Sequence, residues 1–74
     1  MDKGTTTTLE RLAIAERLVA HGKKIIDRQR ALIARLEIRG LDTAPARYLL
    51  ARLEEAQTMH ESDYQRLLEA SKEA

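Results

Sequence analysis

The stretch EIRGLDTAPAR, Glu37 to Arg47, brings Gly40 and the only proline of the chain, Pro45, close together in mid-sequence. Upstream, apolar residues recur every three or four positions from Leu9, and downstream the same spacing resumes, the period of a helix that buries one face. Gly40 suits the C′ position, where the backbone turns left-handed without penalty to glycine, and Leu41 and Leu36 then occupy the positions whose apolar contact accompanies a Schellman stop. Asp42 or Thr43 can cap a second helix, with Pro45 in its first turn where an N–H is not needed. The stretch therefore reads as a stop, a tight turn and a restart. At the other end of the first helix, Thr7 followed three residues later by Glu10 has the pattern of a capping box.

These signals predict an all-α chain: an antiparallel two-helix hairpin with helix 1 over about 8–39 and helix 2 over about 43–70. Residues 1–7 are expected to form a flexible N-terminal segment and residues 71–74 a frayed C-terminus. With 74 residues, 34% charged and 3% aromatic, the chain can build one small domain with a thin core. Cysteine is absent, so neither a disulfide nor a thiolate metal site can reinforce it. No apolar run approaches the roughly 18 residues of a membrane span, and MDKGTTTT lacks the apolar centre of a signal peptide. A cytoplasmic protein is expected, with no membrane contact.

Heptads test how the helices meet. Helix 1 carries Leu12, Val19, Ile26 and Ile33 at a, with Ala15, Gly22, Gln29 and Leu36 at d; helix 2 carries Leu50, Gln57 and Tyr64 at a, with Leu53, His60 and Leu67 at d. In an antiparallel pair, residue numbers sharing a layer sum to a constant, and a constant of 86, centred on Thr43, suits the turn. It expects Gln29 beside Gln57 and Gly22 beside Tyr64. Along the e flank it places Glu37 near Arg47, Arg30 near Glu54 and Lys23 near Glu61, exposed pairs worth under about 1 kcal/mol each that specify register more than they stabilise.

The g flank differs. Leu18, Ile25 and Leu32 of helix 1 and Leu49 and Ala56 of helix 2 form an apolar strip, with Ala70, Asp63 and Ala56 expected opposite the first three. Leaving such large side chains wet forgoes roughly 1.5–3 kcal/mol each. The economical remedy is a second copy, giving a dimeric four-helix bundle with these five residues at the interface; the alternative occupant is an unidentified protein that accepts the hairpin.

The segment RLVAHGKKIIDRQRALIARLEIRGLDTAPARYLLARLEEAQTMH resembles small alphaproteobacterial helical-hairpin proteins without an established activity. The likeness runs through Ile26-x-Arg28-Gln29-Arg30, Leu32-Ile33, Leu36, Gly40-x-Asp42-Thr43-x-x-Ala46 and Leu49-Leu50. Gly22 directly after His21 departs from the pattern. The resemblance implies a hairpin of bacterial origin and carries over no functional residue.

Residues for catalysis are few. His60, Glu61 and Asp63 are the densest group of metal-ligand types, but the Glu-x-x-His motif of di-iron bundles is here Gln57-x-x-His60, an amide where a carboxylate is required. A half-buried His60 donating to Gln57 or Tyr64 is expected instead. No phosphate loop and no nucleophile beside a base is present. No catalytic residue, metal, cofactor or small-molecule substrate is therefore expected.

Charge is uneven. Residues 9–39 hold eight Lys/Arg against four Asp/Glu, net +4, and residues 42–74 hold four against seven, net −3. Arg17, Lys24, Arg28 and Arg35, with His21, line the outer c/f face of helix 1 as a cationic stripe able to follow phosphates. Against that stand the near-neutral total charge, nearby Glu16 and Asp27, and the lack of any Phe or Trp to stack on bases. The sequence thus points to a non-catalytic protein-interaction or adaptor module that self-associates, the alternative being a small nucleic-acid binder using the stripe.

Overall fold

A computed structural model describes residues 7–73 of the chain. It has two helices, α1 (Thr8–Ile38) and α2 (Ala44–Glu73), folded into a hairpin. The expected flexible segment 1–7 lies outside the described residues except for Thr7, and of the expected C-terminal fray residues 71–73 continue α2 as helix.

Local chemistry sets the ends. Thr7 Oγ1 accepts from Glu10 N at 3.1 Å while Glu10 Oε1 accepts from Thr7 N at 2.9 Å, so two amide groups without helical partners are satisfied reciprocally. α1 stops in a Schellman motif: Gly40 N donates to Glu37 O at 3.0 Å and Leu41 N to Leu36 O at 2.9 Å, with Gly40 at φ +70°. α2 opens with the Thr43 carbonyl accepting from Arg47 N at 2.8 Å, which makes Thr43 the N-cap. Asp42 contributes separately, its Oδ1 accepting from Ala44 N at 3.0 Å. Arg47 Nε also donates to Thr43 Oγ1 at 3.0 Å, tying the first turn to its cap.

The hairpin is 57 Å long and 14 Å across its thinnest direction, the depth of a single helix layer. A single layer has two broad faces and no interior beyond the seam. Ala15, Ile26 and Ile33 are the buried apolar residues among those described, and Gln57 is the buried polar one. Among the described residues, no helix is long and apolar enough to cross a membrane.

The register agrees with expectation on one flank and departs from it in the seam. Arg30 Nη2 meets Glu54 Oε2 at 2.8 Å, and Arg47 pairs with Glu37, as the e-flank reading requires. Lys23 and Glu61 line the same charged groove as Arg30 and Glu54 without closing to ion-pair distance. In the seam, Gln57 lies against Gly22, where Tyr64 was expected, and the two glutamines do not pair with each other. Gln57 Nε2 donates to Val19 O at 2.8 Å and Gln29 Nε2 to Ala46 O at 3.0 Å.

The cause is a stagger of half a heptad. Gln57 seats as a knob between two successive d positions of α1, Gly22 and Gln29, instead of level with the second. A carbonyl in a helix points toward the residues three and four positions on, so the missing side chain at Gly22 bares the Val19 oxygen to an amide arriving from α2. Gln57 Oε1 is buried without a hydrogen-bond partner among the described residues.

Candidate protein interface

The two broad faces differ in chemistry. On one, Lys23, Asp27, Arg30, Glu54, Thr58 and Glu61 surround Ile26 and Gln57 in a charged groove. On the other, an apolar groove follows the seam. Near the open end of the hairpin it encloses about 430 Å³ between Ile14, Ala15, Leu18 and Leu67, with Arg11, His60, Asp63 and Arg66 around it. It continues as a narrower stretch of about 120 Å³ past Leu18, Gly22 and Ile25 of α1 and Leu53, Ala56 and His60 of α2. Leu18 and His60 line both stretches, so the groove is continuous along this face.

The structure brings Leu18, Ile25 and Ala56 together along this groove. Leu18 is 45% exposed and Leu49 48%, whereas Ile25 and Leu32 are half-buried and Ala56 is exposed. The same half-heptad stagger moves their cross-seam neighbours. Leu18 shares its stretch of the groove with Asp63, where Ala70 was expected, and Ile25 shares its stretch with Ala56, where Asp63 was expected. Ile25 therefore finds apolar cover within its own hairpin, and the least covered part of the strip lies at Leu18 and Leu49.

Two apolar side chains belong to this face although the g positions alone omit them. Ile14, 47% exposed, lines the wide end, and Met59 is 68% exposed. Both are c residues. Around a helix, c is the position next to g, so Ile14, Leu18, His21 and Ile25 run down one side of α1, and Met59 stands beside Ala56 on α2. The signal was present in the spacing of four from Ile14 to Leu18.

His60 turns toward the apolar groove. Its side chain makes no hydrogen bond among the described residues, to either Gln57 or Tyr64, the two expected acceptors; Gln57 Nε2 donates to Val19 O, and its Oε1 has no partner among those residues. Among the described residues, no group of three His, Cys, Asp or Glu side chains is placed to hold a metal ion.

Arg17, Lys24, Arg28 and Arg35 are all exposed, and among the described residues none of them has an ion-pair partner. Three acidic side chains of α2 are held along their own helix, Glu55 with Arg52 at 3.5 Å, Asp63 with Arg66, and Glu69 with Lys72 at 3.7 Å. Tyr48 near the turn stays largely exposed, with the Arg52 guanidinium carbon 5.9 Å from its ring centroid.

Comparison with protein-family models, curated proteins and solved structures returns no match for this chain.

Proposed function

We propose that this chain is a non-catalytic interaction module whose apolar face pairs with a second copy, giving a dimeric four-helix bundle that serves as an adaptor. The resemblance of its central segment to alphaproteobacterial hairpins supports a bacterial setting. One observation carries the reading: a continuous apolar groove with Ile14 and Leu18 each nearly half exposed lies on one face, while the other face is charged and bridged by ion pairs across the seam. A single helix layer has no third element to lay over that groove, and burying it against another such layer is the arrangement of four-helix bundles. Five residues form the heart of the proposed contact: Leu18, Ile25, Leu32, Leu49 and Ala56.

Light scattering coupled to gel filtration tests it. At micromolar concentration the mass is expected to be twice the 8.4 kDa of one chain, with a melting temperature that rises with protein concentration. A cooperatively melting monomer at all accessible concentrations overturns self-association.

A second reading is favoured by the exposed cations Arg17, Lys24, Arg28 and Arg35, which have no ion-pair partner among the described residues and could follow a phosphate backbone. Retention on heparin, or a shift of a labelled oligonucleotide, that collapses as salt rises from 50 to 200 mM would support it. Apolar pairing of two copies does not weaken over that range.

A further inference from the structure

Two hairpins can pair through the apolar face in two symmetric ways, and charge distinguishes them. With the two-fold axis running along the helices, α1 of each copy lies on α2 of the other and both turns sit at the same end. With the axis across the helices, α1 lies on α1 and α2 on α2, with the turns at opposite ends. Resting on the dimer proposed above, we propose the first arrangement, in which the cationic edge of α1 is received by the acidic edge of α2 in the second copy.

Rotation about an axis along the helices leaves every residue at its own level, so each residue of α1 meets in the second copy the same level of α2 that it meets in its own hairpin. Ile25 beside Ala56 fixes that level. Lys24 and Arg28 then stand at the height of Glu55 of the second copy, and Arg17 one to two turns from Glu69. These acids are exposed and held only by the loose contacts of their own helix, at 3.5 and 3.7 Å.

The crossed arrangement does the reverse. With Ile25 on Ile25 at the axis, Lys24 comes within a turn of Arg28 of the second copy, and Arg17 within a turn of Arg35. A helix with seven Lys/Arg against four Asp/Glu, net +3, would lie on its own copy, and like charges brought together at an interface select against that pairing. The half-by-half imbalance of charge thus sets the orientation of the pair, and the cationic stripe finds its counter-charge in the second copy.

Spin labels on single cysteines read the orientation, and the chain has no cysteine of its own. Ala44→Cys and Lys72→Cys, both exposed, are labelled in separate samples. Along-axis pairing places each label within about 30 Å of its copy, since only the widths of neighbouring helices separate them. Crossed pairing cannot keep both short, because the two sites lie about 42 Å apart along α2 and at least one label pair must then exceed about 40 Å. A dimer with one long distance overturns this proposal and leaves self-association standing; a monomer by light scattering overturns both. As a second readout, Lys24→Glu with Arg28→Glu is expected to weaken the dimer at least tenfold at low salt, and adding Glu55→Lys in the same chain to recover most of that loss. No recovery counts against the assigned contact.

Discussion

Gly22 and Gln57 interlock: a Cβ at residue 22 would run into the Gln57 amide, 2.9 Å from Cδ and closer still to Oε1, while that amide donates to Val19 O one turn back. The glycine is thus the space the glutamine occupies, and the pair fits the half-heptad stagger that the turn sets.

Their coupling is measurable. In an exposed helix interior Gly→Ala gains about 1 kcal/mol. Here that gain is offset by displacing an amide held in a narrow seam, a lost bond worth about 1 kcal/mol and crowding of about 1–3 kcal/mol. Gly22→Ala alone is therefore expected to destabilise, and the same change in a Gln57→Ala background to stabilise. Urea melts of the four proteins give the coupling directly, and a value below about 0.5 kcal/mol would show that the two residues act independently.

Gly40 makes a different demand. Nothing lies within 4 Å of a Cβ built there, yet φ is +70°, so the constraint is backbone alone. Gly40→Ala is expected to cost about 1 kcal/mol, and D-alanine at the same position in a synthetic chain to stabilise by about 0.5–1 kcal/mol, since it adopts positive φ freely and restricts the unfolded chain. Equal thermal melts for the L- and D-alanine proteins would remove the left-handed turn from the account.

How much of this was legible without coordinates follows from the range of each interaction. The capping box at Thr7 and Glu10 and the Schellman stop at Gly40 are settled within a few residues, and sequence spacing captures them. The pairs Arg30–Glu54 and Glu37–Arg47 are long-range, but long flexible side chains meet over a span of levels, so they form despite the stagger. The seam is less forgiving. Heptad counting defines register only in steps of seven, and a turn over residues 39–43 settles α2 between two such steps. Gly22 was readable as a space, but the choice between Tyr64 and Gln57 as its occupant depends on that half step. Ile14 and Met59 were missed because a strip confined to g ignores the neighbouring c position.

The charged flank makes its own prediction. Arg30 and Glu54 are each about half exposed, so their attraction is screened by solvent and worth under about 1 kcal/mol. Arg30→Glu is expected to lower stability modestly at low salt and Arg30→Glu with Glu54→Arg to restore it, the difference fading toward 1 M salt. A double variant no more stable than the sum of its singles would mean that the pair contributes nothing to register.

The strip itself needs probes that separate association from folding. Ile25 is half-buried between Leu53 and Ala56 of its own hairpin, so a charge there damages the fold and the contact together. Leu18 and Met59, at 45% and 68% exposure, touch less of their own chain. Placing a carboxylate at Leu18 leaves the seam formed by Ile26, Ile33 and Gln57 intact but puts a charge where a second copy would bury an apolar group, a penalty of several kcal/mol if the charge stays dry. Leu18→Glu is expected to yield a monomer by light scattering that keeps its helical circular dichroism at low temperature, with a melting temperature that no longer depends on concentration. His60→Leu, which extends the apolar lining beside Leu18, is expected to tighten the dimer instead. If Leu18→Glu remained dimeric with unchanged concentration dependence, the contact would lie on another face, and the exposed strip would belong to a different protein's docking surface.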